Sequence, residues 1–145
     1  MNEIEANTSI FFASFFSATI LLGHSELALT ALISLKKHSI FLLIIFASLG
    51  NILGSLVNWY LGFELEKFKD KKWFPVTKLQ MNNASSLFIK YGKWSLLLSW
   101  LPFIGDPLTL VAGVLRMPLF SFIIIVSIAK VLRYIFVSLI TLNIL

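Results

Sequence analysis

The chain has no cysteine. Disulfides, thiolate metal sites and thiol redox chemistry are thereby excluded, and so are prenyl and palmitoyl anchors. The absence says nothing about compartment. Histidine occurs only at His24 and His38, too few for a histidine-based metal centre. No P-loop, dinucleotide-binding fingerprint or metalloprotease motif is present, so neither metal nor other cofactor is expected. Charge is scarce, at 13% of residues against about 25% in soluble domains. Asn2 follows the initiator methionine, so there is no myristoylation signal. The opening residues Met1–Glu5 are acidic where a secretory signal is basic, and the first apolar stretch is expected to be retained.

What is present is apolar. Hydrophobic residues make up 58% of the 145, against about 45–50% in soluble domains. Four stretches carry them: Ser9–Leu35, Ile40–Phe63, Trp94–Leu115 and Pro118–Leu145. Each is long enough for a transmembrane helix, which takes roughly 17–25 residues. The rest is too short and too polar for a second, soluble domain. A water-soluble enzyme is excluded, and one integral membrane domain over residues 1–145 is expected.

The net charge of +5 points to nucleic acid only if its distribution is ignored. Lys67, Lys69, Lys71, Lys72, Lys78, Lys90 and Lys93 all fall in the central segment Glu64–Lys93. In a membrane protein such a segment stays on the cytoplasmic side, beside anionic lipid. No nucleic-acid partner is expected. Val76, Leu79, Leu87, Phe88 and Tyr91 suit an amphipathic helix lying on the membrane surface.

Two of the stretches are interrupted. Leu22-Gly23-His24-Ser25-Glu26 lies in the middle of the first, and Leu101-Pro102-Phe103-Ile104-Gly105-Asp106-Pro107 in the middle of the third. Prolines and a carboxylate at mid-depth break a helix, and a break is tolerated only where protein or water surrounds it. Each stretch therefore reads as two half-length helices. The other two read as spans. Asn51, Ser55, Asn58 and Gly62 share one helix face of the first span, and Gly50 and Gly54 suit a close helix contact, internal or within a homo-oligomer.

The order broken stretch, span, loop, broken stretch, span repeats with an offset of about 80 residues, over about 8–63 and 86–145. If the broken stretches re-enter, each half crosses once and the halves are inverted. The expected fold is then all-α, with two re-entrant helical hairpins and two transmembrane helices in an inverted repeat, as in many secondary transporters. Both termini would lie opposite the lysine-rich loop. The alternative is a plain four-span bundle with kinked helices.

Glu26, Asp106, Lys130 and Arg133 all fall at membrane depth. Each charge costs about 2.5–3.5 kcal/mol at a helix centre, so the two acids and two bases are expected to pair in one network. Such a network either only fixes helix register or carries a titratable acid beside cations that hold an anion. A further reading lets Lys130 or Arg133 snorkel to the interface. His24, Ser25, Asn51, Asn58, Pro102 and Gly105 are expected to line a cavity. Arg116, placed on one helical face with Thr109 and Gly113, is either a lipid-phosphate contact or an interface anchor. His24, Ser25 and Glu26 are adjacent and point apart, so they form no catalytic triad. No catalytic residue and no enzyme activity are expected.

Several segments carry a family resemblance. They are Ala18-Thr19-Ile20-Leu21-Leu22-Gly23-His24-Ser25-Glu26, Gly50-Asn51-Ile52-Leu53-Gly54, Trp100-Leu101-Pro102-Phe103-Ile104-Gly105-Asp106-Pro107, Ala112-Gly113-Val114-Leu115-Arg116-Met117 and Lys130-Val131-Leu132-Arg133-Tyr134. In order and spacing they resemble the DedA superfamily, the VTT or SNARE-associated membrane proteins, and its short YqaA-like branch. The resemblance implies two facing re-entrant hairpins, a bacterial inner-membrane location, and movement of lipids or lipid-linked molecules, with the essential acid of the first hairpin at Glu26. The chain departs from relatives at Leu22 and His24, and it offers Asp106 where longer members carry arginines. The expected function is a transporter or translocase of a lipid or small amphiphile, coupled to protons. Membrane lipids and a lipid-linked substrate are the expected partners. A non-transporting scaffold that supports the envelope or a partner complex is the alternative.

Overall fold

A computed structural model describes residues 1–20, 25–65, 70, 77–101 and 104–144. The described elements are all helical: α1 (Glu3–Ile20), α2 (Ser25–Ser34), α3 (Ile40–Phe63), α4 (Lys78–Tyr91), a 3-10 segment (Gly92–Trp100), α5 (Gly105–Val114) and α6 (Leu119–Ile144). His24, Pro102 and the loop lysines Lys67, Lys69, Lys71 and Lys72 lie outside the described residues.

The two stretches read as spans are single helices of 24 and 26 residues. At 1.5 Å per residue they reach about 36 and 39 Å, beyond the roughly 30 Å of a hydrocarbon core. Both are long and apolar enough to cross a membrane. The two interrupted stretches are each divided into shorter helices, α1 with α2 and the 3-10 segment with α5.

Two boundaries differ from the sequence expectation. Helix α1 starts at Glu3 rather than at Ser9. The Asn2 amide N–H donates to Glu5 Oε2 (2.9 Å) and the Glu5 amide N–H to Asn2 Oδ1 (2.8 Å), which satisfies two of the unpaired donors of the first turn. The first arm of the third stretch is a 3-10 helix instead of an α-helix. The Ser95 hydroxyl donates back to the Gly92 carbonyl (2.8 Å) and competes with α-type pairing there. Within the lysine-rich segment, α4 begins with a capping box. The Gln80 N–H donates to Thr77 Oγ1 (3.2 Å) and the Thr77 N–H to Gln80 Oε1 (3.0 Å).

Helix α3 is the hub and packs against α1, α5 and α6. Its contacts fix directions. The Ser39 N–H, at the start of α3, donates to Glu3 Oε1 (3.0 Å) at the start of α1. Further along, Gly50 meets Phe11, and Gly54 meets Phe15 and Ala18. Helices α1 and α3 therefore run side by side in the same direction. Gly50 and Gly54, which suited either an internal or an oligomer contact, serve this internal one. A Cβ at Gly50 would run into the Phe11 carbonyl. Helix α5 also runs with α3, since Asn58, Gly62 and Phe63 meet Thr109, Leu110 and Gly113 in turn.

The apolar core has two parts. Ala6, Ile10, Leu29, Leu32, Ile33, Leu43, Ala47 and Tyr134 pack α1, α2, α3 and α6 together. Leu96, Leu108, Val111, Phe122 and Val126 join the 3-10 segment, α5 and α6, with Ala84 of α4 set against them. The two short helices end alike, 80 residues apart. Helix α2 ends with Lys36 at φ 53°, its N–H on the Ile33 carbonyl (3.0 Å). Helix α5 ends with Arg116 at φ 55°, its N–H on the Gly113 carbonyl (3.0 Å). A left-handed residue at this position is usually glycine. A basic side chain there instead complements the negative end of the helix dipole.

Candidate functional site

Both acids hold the same local position. Glu26 is the second residue of α2, and Asp106 the second residue of α5. A carboxylate there faces the unpaired N–H groups and positive dipole end of its helix. Both N-terminal ends are brought against α6 near its midpoint, where Lys130 and Arg133 sit three residues apart on neighbouring faces.

The Asp106 pair is the deeper one. The Lys130 side chain is 0% exposed, and its Nζ donates to Asp106 Oδ1 (3.3 Å) and to the Ser99 carbonyl (3.0 Å). Ser99 lies in the last turn of the 3-10 segment, where carbonyls lack helical partners. One ammonium thus closes the C-terminal end of the 3-10 segment and pairs with the acid opening α5. Gly105 makes this possible, since a Cβ there would run into the Ser99 carbonyl.

The Glu26 pair is more open. Arg133 Nη2 contacts Glu26 Oε1, with side chains 12% and 22% exposed. Beside it, the Tyr134 hydroxyl donates to Ser25 Oγ (3.0 Å) and accepts from Asn51 Nδ2 (2.9 Å). Asn51 Nδ2 also reaches the Ser14 carbonyl (3.4 Å), which only accepts and so sets the amide's orientation. One helical turn pair further along α3, Asn58 Nδ2 donates to the Ala18 carbonyl (2.8 Å) and to Thr109 Oγ1 (3.3 Å). Ala18 is in the last turn of α1, so Asn58 caps that end while touching α5. Thr109 Oγ1 in turn donates to the Asp106 carbonyl (2.6 Å). Asn51 Oδ1 and Asn58 Oδ1 are buried with no hydrogen-bond partner among the described residues. Each retains a free lone pair for a mobile donor.

The geometry corrects two expectations and bears on a third. The four charges form two separate pairs, Glu26 with Arg133 and Asp106 with Lys130, rather than one network. Ser25, Asn51, Asn58 and Gly105 were expected to line a cavity. All four are buried where helices meet, and Asn51 Oδ1 and Asn58 Oδ1 keep no partner among the described residues. Arg116 does not share a face of α5 with Thr109 and Gly113. It lies beyond the end of α5, exposed, with its guanidinium 4.3 Å from the centroid of the Phe63 ring. Tyr134, Ser99 and Thr109 were missed as site residues. A tyrosine four residues after a buried lysine was the available signal for the first of them.

At the start of α1, Glu3 Oε2 meets His38 Nδ1 (3.1 Å) in addition to the Ser39 N–H. The Ser39 hydrogen bond, helped by His38, holds the Glu3 carboxyl below its ordinary range. Glu3 and His38 tie the beginnings of α1 and α3 together at one end of the molecule.

Residues 22–142 match the model of the VTT domain. The chain belongs to the VTT-domain family. In this VTT-domain protein the matched segment takes in Glu26, Asn51, Asp106, Lys130 and Arg133 and leaves the whole of α1 outside. The chain is 36% identical to the inner membrane protein YqaA of Escherichia coli over 140 residues, 95% of this chain and 92% of that one. It is 35% identical to an uncharacterized protein of Haemophilus influenzae over 133 residues, 87% and 81% of the two chains. It is 32% identical to undecaprenyl phosphate transporter A of Staphylococcus aureus over 112 residues, 70% of this chain and 55% of the transporter. No solved structure matches. The VTT-domain match and the apolar helices α3 and α6 agree on a membrane protein.

Proposed function

We propose that this protein is a multi-pass protein of a bacterial inner membrane that moves a lipid or small amphiphile across the bilayer, coupled to protonation of Glu26 or Asp106. One observation carries the reading. Two half-length helices, each opening on a carboxylate, point their N-terminal ends at a lysine and an arginine within one turn of each other at mid-length of a spanning helix. Half-helix ends meeting at mid-depth are how secondary transporters build substrate and ion sites. The names of the relatives fit, one being an inner membrane protein and a more distant one an undecaprenyl phosphate transporter. No chemistry on the substrate is assigned, so the protein is not read as an enzyme.

The contact pattern supports two re-entrant hairpins in an inverted repeat. Glu3 at the start of α1 bonds Ser39 at the start of α3, which suits a chain entering and leaving on one side. Helix α5 runs with α3 towards the end where the lysine-rich segment and α4 lie, which suits a second hairpin opening on the opposite side. The lysine-rich side is then cytoplasmic, and both termini face away from it.

The test is reconstitution into liposomes with a fluorescent phospholipid, read as protein-dependent translocation across a pH gradient. Glu26→Gln and Asp106→Asn are expected to flatten the pH dependence. If both variants kept full, unchanged pH-dependent activity, proton coupling would be wrong. A second reading, a non-transporting scaffold, is favoured by the complete burial of Lys130, which clamps α6 to the second hairpin. That reading requires no translocation above empty liposomes.

A further inference from the structure

Two seams between half-helix and span are equivalent in the repeat, and only one is sealed. In the second half α5 lies on α3. Gly62 is set against the Leu110 carbonyl, Gly113 against the Trp59 carbonyl, and neither position has room for a Cβ. In the first half the corresponding seam is α2 on α6. Half-helices correspond at an offset of 80 residues, as Glu26 with Asp106 and Lys36 with Arg116 show. The spans start at Ile40 and Leu119, an offset of 79. Leu110 thus corresponds to Thr30, Gly62 to Thr141, and Gly113 to Ile33. Where a glycine lets backbone meet backbone in one seam, two threonine side chains meet in the other, with Thr30 Oγ1 and Thr141 Oγ1 3.4 Å apart.

Side chains in place of glycines hold α2 off α6, and a groove of about 320 Å³ remains between them. It is lined by Thr30, Ser34, Val137, Ile140, Thr141 and Ile144. Its volume falls in the roughly 300–1,000 Å³ range of small-ligand sites. Glu26 stands one turn before Thr30 on α2, and Arg133 one turn before Val137 on α6. The groove therefore runs along the helix faces that carry the partly exposed Glu26–Arg133 pair at their inner end. Apolar walls with three hydroxyls lead to a guanidinium and the N-terminal end of α2, and both of these favour an anion.

We propose that the α2–α6 groove binds the single apolar chain of an anionic amphiphile whose headgroup lies at Arg133, displacing or protonating Glu26. The proposal rests on the transport reading and names where its substrate sits. The closed α3–α5 seam makes this the loaded side, facing the end that carries the chain termini.

The probe is dodecyl phosphate carrying a diazirine near its tail, added to the full chain in liposomes of phosphatidylethanolamine and phosphatidylglycerol. Photolabelled peptides are then mapped by mass spectrometry. The expected result is saturable labelling of 25–34 and 137–144, competed by plain dodecyl phosphate and not by dodecyltrimethylammonium. Ser34→Phe, at an exposed position in the groove, should weaken labelling about tenfold, with an unchanged unfolding midpoint. Ile140→Phe is a second filling variant, and Leu132→Phe, exposed on α6 outside the groove, should change nothing. Labelling spread without saturation over Ile128, Leu132 and Leu139 would overturn the proposal, because bulk lipid would then be the only occupant. Competition by the cationic amphiphile instead of the phosphate would overturn the assignment of the headgroup. Saturable labelling without lipid translocation would uphold the site and remove the transport reading. Translocation unchanged in Ser34→Phe, with labelling lost, would overturn the groove as the substrate's seat.

Discussion

Glu26 and Asp106 occupy the same position in their half-helices, yet the cations they meet are held very differently. Lys130 is wholly enclosed and has two oxygen partners, Asp106 Oδ1 and the Ser99 carbonyl. Arg133 and Glu26 keep 12% and 22% of their side chains exposed and stand at the head of a groove. The seams differ in the same sense. Glycines at 62 and 113 draw α3 and α5 together, while threonines at 30 and 141 keep α2 and α6 apart. The Asp106–Lys130 pair is built as an anchor, and the Glu26–Arg133 pair is the more accessible of the two. A buried ion pair contributes specificity of docking more than stability, and an accessible pair can exchange a partner for a ligand or a proton.

The largest expected effect separates the two cations. Lys130→Met should destabilise the protein by about 3–5 kcal/mol, because it leaves Asp106 and the Ser99 carbonyl without their buried partner. Arg133→Met should cost about 1–3 kcal/mol, in the range of a partly exposed charged hydrogen bond. Denaturant unfolding in detergent micelles compares them, and equal losses would erase the distinction between anchor and site. Pairing Lys130→Met with Asp106→Leu should recover most of the first loss.

A smaller effect tests the seams. Gly62→Thr writes the open seam's residue into the sealed one, and overpacking of that kind costs about 1–3 kcal/mol. The reverse change, Thr141→Gly, should leave stability within about 1 kcal/mol and narrow the groove. If Gly62→Thr were tolerated without loss, close backbone contact would not be what seals that seam.

The smallest effect concerns the ends of the halves. Glu3 has a carboxyl held below its ordinary range by the Ser39 N–H. Its contribution is therefore fully present above the usual carboxyl pKa and is lost as pH falls through the lowered one. Pro118 precedes α6 as Ser39 precedes α3, and it has no N–H to offer a carboxylate. On acidification the Ser39 amide should lose protection relative to its intrinsic exchange rate, while amides at the start of α6 keep theirs. Hydrogen exchange read by mass spectrometry resolves the two, and a parallel response at both would show that the Glu3 clasp is immaterial.

Much of the architecture is legible in the linear pattern. Long apolar runs mark α3 and α6, and carboxylates, glycines and prolines inside the other two runs mark their division. The start of α1 at Glu3 was hidden because Asn2 and Glu5 read as a polar tail until their reciprocal hydrogen bonds are seen. The charges at 26, 106, 130 and 133 stand out in any apolar chain, but which acid meets which base depends on the side of α6 that each half-helix reaches. Arg116 read as a helix-face residue because nothing local announces a left-handed backbone at an arginine.

The sequence by itself determined that this chain belongs in a membrane. A cysteine-free, charge-poor chain with long apolar runs has no other way to satisfy its backbone and bury its surface. It also determined where the helices break and which charges need partners, since both follow from local chemistry. The pairing of those charges and the difference between a sealed and an open seam were decided only in the tertiary structure. Glycine against carbonyl in one seam and threonine against threonine in the other are contacts between residues far apart in the chain. Their meaning exists only once the helices are packed.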